Sequence, residues 1–263
     1  MARPASSPKA QTHSTSIETI SPIRRPQATL SQLEKHHPLQ RLRSPSRTIS
    51  LIVHTLGLIS FANSFYWLET HPNHINSSYG WHFQYLTIIG LLLATLTFLF
   101  GLLADLTLSR TFFRLKNILS VCSAPMEVLI SLLYWGLRAI NPELVVPKEL
   151  ELPLAPDLGF HAIPSIALVI DLLLLSPPWT ITALPSFGLS VSIAMGYWWW
   201  IERCYERNGF YPYPIFDMVP WAGRVGLFVG SAVVMATNTA VLGWVYGVVN
   251  GRIGGRGKGG KGL

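Results

Sequence analysis

The chain has 263 residues, of which 49% are hydrophobic and only 13% are charged, and it carries a formal net charge of +7. Soluble globular domains carry about 25% charged residues, so this composition, with its uncharged apolar runs of spanning length, excludes an ordinary soluble enzyme. We therefore predict an all-α polytopic membrane protein, a bundle of about six transmembrane helices, and not a pair of soluble domains.

The two ends of the chain are basic and polar. Residues 1–48 are rich in Ser, Pro, Gln and Arg and contain no apolar run, so we predict a disordered cytoplasmic tail. Residues 250–263 form a second basic tail, rich in Gly. Basic tails can bind nucleic acid, but beside membrane spans they set topology and attract anionic lipid headgroups. Nucleic acid is therefore not an expected partner, whereas the bilayer is.

Residues 49–249 contain six apolar segments, each of which is predicted to be a transmembrane helix. In chain order these segments cover about 49–68, 84–104, 118–138, 160–176, 181–201 and 225–248. The link 105–117 and the loop 139–160 are expected to lie outside helices. The loop is acidic and carries four prolines, so we expect an extended cover.

The distribution of positive charge predicts the orientation. If both tails, residues 105–117 and the Pro177-Pro178 turn lie on one side, that side holds fifteen of the twenty Lys and Arg residues. The positive-inside rule then places both tails in the cytoplasm. The glycosylation sequon at Asn76 and the acidic loop fall on the opposite, lumenal side.

Polar side chains inside apolar segments are candidates for function, because burying them in a bilayer is costly. Thr87 lies about three residues into the second segment, and His161 begins the fourth. Both segments enter from the same side, so we expect the two residues at one depth, where a histidine could activate a threonine hydroxyl. Spacing alone does not separate Thr87 from Thr95 or Thr97, since such hydroxyls usually bond back to their own helix. His161 could equally be an interfacial anchor.

Three carboxylates could support the histidine or line a pocket. Asp157 lies four residues before His161 and could contact it. Asp171 is ten residues, or about 15 Å of helix, further along, so it is too deep to contact His161 directly. Glu127 lies in the third segment and could line a pocket or pair with polar neighbours. No metal-ligand cluster, phosphate-binding loop or dinucleotide fingerprint is present, so we expect no cofactor and no metal.

Four stretches of the membrane domain resemble one protein family. They are WHFQYLTIIG, PMEVLISLLYWGLRAINPELVVP, DLGFHAIPSIALVIDLLLLSPPW and GYWWWIERCYERNGFYPYPIF. Over about residues 80–248 the chain resembles the androgen-induced integral membrane protein family, which has many fungal members. The resemblance implies an atypical threonine hydrolase that cleaves fatty acid esters of hydroxy fatty acids. It implies Thr87, which follows Tyr85-Leu86, as the nucleophile, and His161 as its partner. It carries over no third catalytic residue and no oxyanion donor.

The sequence therefore predicts a membrane-embedded hydrolase of lipid esters in the endoplasmic reticulum or another endomembrane. Thr87 would attack the ester, His161 would act as base and then as acid, and the acyl chains would lie between spans. The alternative is a non-enzymatic lipid-binding or regulatory membrane protein in which both residues are structural. A small-solute transporter would need a continuous polar path, at which only Glu127 and Asp171 hint. The oligomeric state is left open.

Overall fold

The computed structural model describes residues 35–41 and 43–251, and every regular element within them is a helix. The helices are α1 (Arg47–Thr70), α2 (Leu86–Thr107), α3 (Arg110–Ile140), α4 (Leu154–His161), α5 (Ile163–Ile170), α6 (Ala183–Asn208), α7 (Ile215–Met218) and α8 (Trp221–Asn250). Short 3-10 turns cover His74–Ser77, Trp81–Gln84, Pro142–Leu144 and Lys148–Leu150, and a π-helical turn, Asp171–Leu175, continues α5. The predicted all-α membrane fold is confirmed. Residues 1–34 and 252–263, which hold most of the predicted tails, lie outside the described residues.

Four or five helices of the described residues qualify as spans, and the six expected from the sequence are not confirmed. Among the described residues, α1, α2, α3 and α8 are long and apolar enough to cross a bilayer. A fifth span results when α4 is counted with residues 163–175, which meet it at a bend of 42°. The remaining long helix, α6, has 26 residues, but Ser, Gly, Tyr and Trp residues interrupt its apolar stretch. It is therefore not among the helices that qualify as spans. That both tails lie on one side remains a prediction, because it requires α6 to cross as a sixth span.

Two stretches expected to be irregular are largely helical. The link 105–117 belongs to α2 and α3, which are separated only by Leu108 and Ser109. The end of the acidic loop 139–160 folds into α4 despite its prolines. Pro153 and Pro156 lie just before and within the first turn of α4, where backbone N–H groups have no helical partner and a missing one costs little. The expectation of a purely extended cover was therefore wrong.

The centre of the bundle is α3, which packs against α2, α4, α5 and α8. The interior beside it is filled by large apolar side chains from several helices, among them Phe61, Leu91, Phe98 and Leu168. In a bilayer the lipid is as apolar as these side chains, so close van der Waals packing and interhelical hydrogen bonds hold the helices together.

The segment just before α1 packs on the bundle, although its composition assigned it to the disordered tail 1–48. The His37 ring is buried and stacks on Phe113 with 4.4 Å between centroids. Arg41 donates hydrogen bonds to two carbonyls of the π-helical turn, at 3.0 and 3.3 Å. This segment therefore belongs to the membrane domain.

Candidate active site

Thr87 and His161 line one cavity of about 100 Å³, at the end of the bundle where α2 begins and α4 ends. Its walls are mostly apolar, and we call it the polar cavity because histidine, threonine, asparagine and tyrosine side chains also line it. A second cavity, of about 150 Å³, has almost entirely apolar walls and is called the apolar cavity. The two cavities share four lining residues: Thr87, Tyr134, Val145 and Tyr213. Thr87 thus lies where the two cavities meet, and His161 lines the polar cavity without a hydrogen bond to Thr87.

The Thr87 hydroxyl differs from those of the other two threonines that the sequence could not separate from it. Thr95 Oγ1 donates to the Leu91 carbonyl and Thr97 Oγ1 to the Leu93 carbonyl, each at 2.7 Å, so both are bonded to their own helix. Thr87 makes no such bond, and its Oγ1 lies 3.4 Å from Tyr213 Oη. It is the threonine whose hydroxyl is available to a ligand.

The position of Thr87 at the start of α2 explains this difference. A threonine hydroxyl inside a helix bonds to a carbonyl three or four residues back. Tyr85, the residue before α2, is extended, so the carbonyls of Phe83 and Gln84 do not lie in a helical turn before Thr87. These carbonyls accept from Trp200 Nε1 and Tyr197 Oη of α6, both at 2.9 Å, and the Thr87 side chain is left to the cavity.

Asp157 holds the His161 ring in one tautomer. His161 Nδ1 lies 2.8 Å from Asp157 Oδ1 and 3.1 Å from the Asp157 carbonyl, and both of these oxygens can only accept. Nδ1 therefore carries the proton, and Nε2 of the neutral ring has a free lone pair. Within the described residues no group bonds to Nε2. The ring stacks on Tyr134 with 3.5 Å between centroids, and Arg138 Nη1 lies 3.4 Å from Asp157 Oδ2.

His161 is the last residue of α4, and not the first residue of a span as the sequence suggested. Pro164 has no N–H, and its ring excludes a helical carbonyl four residues back, so the helix breaks and restarts as α5. The break frees the His161 carbonyl, which accepts hydrogen bonds from Ser131 Oγ and, at 3.3 Å, from Trp135 Nε1. Side chains of α3 thus cap α4 and fix the position of the histidine.

Tyr213 supplies a further hydroxyl that sequence reasoning missed. It follows an aromatic-rich loop in which no spacing distinguishes one tyrosine from another. Its hydroxyl also interacts with the backbone N–H groups of Leu86 and Thr87 at the start of α2. Burial raises the pKa of Tyr213 above that of an ordinary phenol, so the group is a neutral hydrogen-bond donor.

His82 is a second histidine in the polar cavity and was also missed. Burial, and then the nearby His74, lower the pKa of His82 to about 4, so its ring is neutral at neutral pH. Its Nε2 lies 3.2 Å from the side-chain oxygen of Asn76, which also accepts from the Asn73 backbone N–H. The sequon asparagine is therefore part of the folded turn beside the cavity.

Only one of the three predicted supporting carboxylates contacts His161, namely Asp157. Asp171 lies at the opposite end of the bundle, 2.7 Å from Lys116 Nζ and 3.0 Å from His54 Nε2. Glu127 is fully buried in the middle of α3 and lines neither cavity. Neither carboxylate therefore supports the histidine directly, in agreement with the depth argument for Asp171.

Known proteins resemble this chain over its membrane domain. The family model described as FAR-17a/AIG1-like protein matches residues 49–247. A UPF0641 membrane protein of Schizosaccharomyces pombe is 38% identical over 175 residues, which make up 65% of this chain and 78% of that protein. No solved structure matches the chain.

Proposed function

The chain belongs to the FAR-17a/AIG1-like family of integral membrane proteins, and we propose that it is a membrane-embedded hydrolase of lipid esters. The observation that carries the proposal is the shared polar cavity. It contains a threonine hydroxyl that is not bonded to its own helix, and a histidine whose Nε2 is unbonded. A hydroxyl nucleophile, a histidine base and a carboxylate that orients the histidine are the parts that acyl transfer requires.

In the proposed reaction, Thr87 Oγ1 attacks the ester carbonyl carbon while His161 Nε2 takes the hydroxyl proton. The tetrahedral intermediate collapses, His161 returns that proton to the departing alkoxide, and an acyl-threonine ester remains. A water molecule, deprotonated by His161, then cleaves this ester and releases the fatty acid. The direct Thr87–His161 hydrogen bond would form when substrate binds, since catalytic hydrogen bonds are often long in unliganded enzymes.

The start of α2 offers donors for the developing oxyanion. The backbone N–H groups of Leu86 and Thr87 and the Tyr213 hydroxyl converge beside the nucleophile. Donors already in place where negative charge develops lower the barrier, and a helix N-terminus adds its dipole. We propose that the oxyanion binds against these N–H groups, with the Tyr213 hydroxyl as a further donor.

The apolar cavity fits the acyl chain of the substrate. Its walls come mainly from α3, α6 and α8 and include Met126, Leu129, Ile193 and Met235. Because it meets the polar cavity at Thr87, a chain in the apolar cavity would bring its ester group to the nucleophile. We further propose a location in the endoplasmic reticulum or another endomembrane, with the polar cavity on the lumenal side.

The proposal is tested by hydrolysis of a fatty acid ester of a hydroxy fatty acid by the purified protein. Thr87→Ala and His161→Ala should each lower turnover by about 100-fold or more. Thr95→Ala is the matched control, because it removes a hydroxyl from the same helix that is bonded to its own backbone. If Thr87→Ala turns over as fast as Thr95→Ala, the mechanism is wrong. Lipid binding without hydrolysis by the wild type would support a non-enzymatic lipid-binding protein instead.

A further inference from the structure

A continuous row of polar side chains runs along one face of α3. Its members are three or four residues apart, so they fall within a sector of about 80° on an ideal helix. The row consists of Lys116, Ser120, Ser123, Glu127, Ser131, Tyr134 and Arg138. From first to last it extends for roughly 33 Å, which matches the roughly 30 Å hydrocarbon thickness of a bilayer. No position in the row is apolar, although α3 is a membrane-spanning helix.

Each end of the row is connected to a buried group of ionisable residues. At one end, Arg138 lies 3.4 Å from Asp157, which binds His161. At the other end, Lys116 Nζ lies 2.7 Å from Asp171. His54 Nε2 lies 3.0 Å from Asp171 Oδ1, and His54 Nδ1 lies 2.7 Å from Oδ2 of Asp105, a residue of α2. The row therefore joins two sets of acid and base groups across the membrane.

The middle of the row contains polar atoms without partners. Glu127 is fully buried, and neither of its carboxylate oxygens has a hydrogen-bond partner among the described residues. Ser120 Oγ, two turns away, is likewise buried and unpartnered. A lone buried carboxyl group is costly, and in membrane spans such groups usually serve transport of protons or ions.

The neighbouring helix α2 makes room for this carboxyl group. A Cβ on Gly90 would lie only 2.6 Å from Glu127 Oε1, so a larger residue there would displace the carboxyl group from its present position. None of the ion pairs in the described residues includes Glu127. Two polar groups within the preceding turn of α3 are already bonded: the Ser123 hydroxyl pairs with Thr97 at 3.1 Å, and the Pro125 carbonyl accepts from Asn238 at 3.4 Å. A metal cation needs several oxygen ligands around it, whereas a proton needs only hydrogen bonds.

We propose that the hydroxyl and carboxyl groups of this row, from Ser120 to Tyr134, are a path for protons across the bilayer, with Glu127 as the central carrier. Lys116 and Arg138 stay charged and pair with the carboxylates at the two ends of the path. Neutral Glu127 passes its carboxyl proton towards Ser123 and takes another from the side of Ser131, or the reverse. Successive Cβ atoms are about 5–6 Å apart, a gap that one water molecule bridges between hydroxyl or carboxyl groups. One proton enters for each proton that leaves, and no other bond changes. This function is separate from ester hydrolysis.

Proton flux through the reconstituted full-length protein tests the proposal. Liposomes enclosing a pH-sensitive dye would be given a potassium diffusion potential with valinomycin, and the dye signal would be followed. Wild-type protein should conduct protons faster than protein-free liposomes. Glu127→Gln should fall to the protein-free rate, and Ser120→Ala should be slower than wild type. Thr95→Ala, which removes a membrane hydroxyl outside the row, should match wild type.

Two results would overturn the proposal: a wild-type rate equal to that of protein-free liposomes, or a Glu127→Gln rate equal to wild type. Infrared spectroscopy gives a second measurement that does not depend on the variant's reconstitution. The wild type should show a protonated carboxyl band that shifts in D2O, and failure of that band to shift would equally overturn the proposal. Thr87→Ala should keep wild-type flux, so the proton path and the hydrolase proposal can fail separately.

Discussion

At the scale of single residues, His161 is held by three neighbours that each fix a different part of it. Asp157 keeps the proton on Nδ1, the Tyr134 ring covers one face, and the Ser131 hydroxyl holds the carbonyl. A base fixed in this way presents Nε2 to the cavity without rearrangement during the reaction. The Asp157 carboxylate thus orients the ring and also pairs with Arg138.

Replacing that carboxylate by an amide should reverse the tautomer. In Asp157→Asn the side-chain NH2 can donate to Nδ1, which moves the proton to Nε2 and removes the base. We expect kcat for ester hydrolysis to fall by about 100-fold or more, with KM little changed. The control is Glu151→Gln, which removes the exposed carboxylate 3.1 Å from Arg138 and should retain wild-type kcat. An unchanged kcat in Asp157→Asn would show that the Asp157 carboxylate is not needed to fix the tautomer of His161.

Sequence reasoning identified Thr87 and His161 as the candidate pair but not the contacts that surround them. His161 was singled out because it is a polar residue in an apolar segment, and Asp157 because it lies four residues before His161. The choice of Thr87 over Thr95 and Thr97 depends on the residue at which α2 begins, and sequence patterns locate helix boundaries poorly. Tyr213 was missed because its approach to Thr87 is a tertiary contact without a local signature.

At the scale of elements, α3 supports both ends of the molecule. Its C-terminal half caps α4 and lines both cavities, and its N-terminal half carries Lys116 into the network around Asp171. The polar row could have been found in the sequence, since its spacing follows the helical period, but each serine alone looks unremarkable in a span. The helix α4 could not have been found in the sequence, because four prolines in one loop favour an extended chain. Only the structure shows that two of them lie at the start of a helix, where proline is tolerated.

The ion pairs of Asp171 with Lys116 and His54, at the end of the bundle opposite the candidate active site, should affect stability and not hydrolysis. Asp171→Asn leaves Lys116 buried without its carboxylate partner, which should lower the free energy of unfolding by about 3–5 kcal/mol. Denaturant unfolding in detergent measures the loss. Glu206→Gln breaks the exposed pair with Arg203 and should change little. If folded Asp171→Asn loses ester hydrolysis, the two ends of α3 are not independent as we describe them.

The apolar cavity should set the chain length of the substrate. Ala232 is buried in the wall that α8 contributes, so Ala232→Phe would fill part of the 150 Å³ space. We expect kcat/KM for long-chain esters to fall about tenfold or more, with short-chain esters little affected. Val229→Phe, at an exposed position on the same helix, is the control. An equal loss for both chain lengths would place the acyl chain elsewhere.

At the scale of the whole molecule, the fold class and the family were predictable from the sequence, whereas the six spans remain a prediction. Low charge and long apolar runs identify a helical membrane protein without further information. The resemblance in four stretches is confirmed by the family match over residues 49–247. The composition of α6 does not decide whether this helix crosses the bilayer, because its cluster of Trp and Tyr residues suits a membrane interface as well as a span.

The topology prediction can be checked through the two tails. If α6 crosses as a sixth span, protease added to sealed microsomes should remove tags from both the N-terminus and the C-terminus. The positive charge on both tails favours this result. A tag at one end that is digested only after the membrane is permeabilised would show five spans and would place the tails on opposite sides.

The central claim is that Thr87 is a nucleophile, and the most direct measurement is the site of covalent labelling by a fluorophosphonate. We predict that mass spectrometry of the labelled, digested protein will find the adduct on Thr87, and that His161→Ala will strongly reduce it. Thr95→Ala should label as wild type. An adduct on another residue, or no adduct on a protein that hydrolyses lipid esters, would contradict the account.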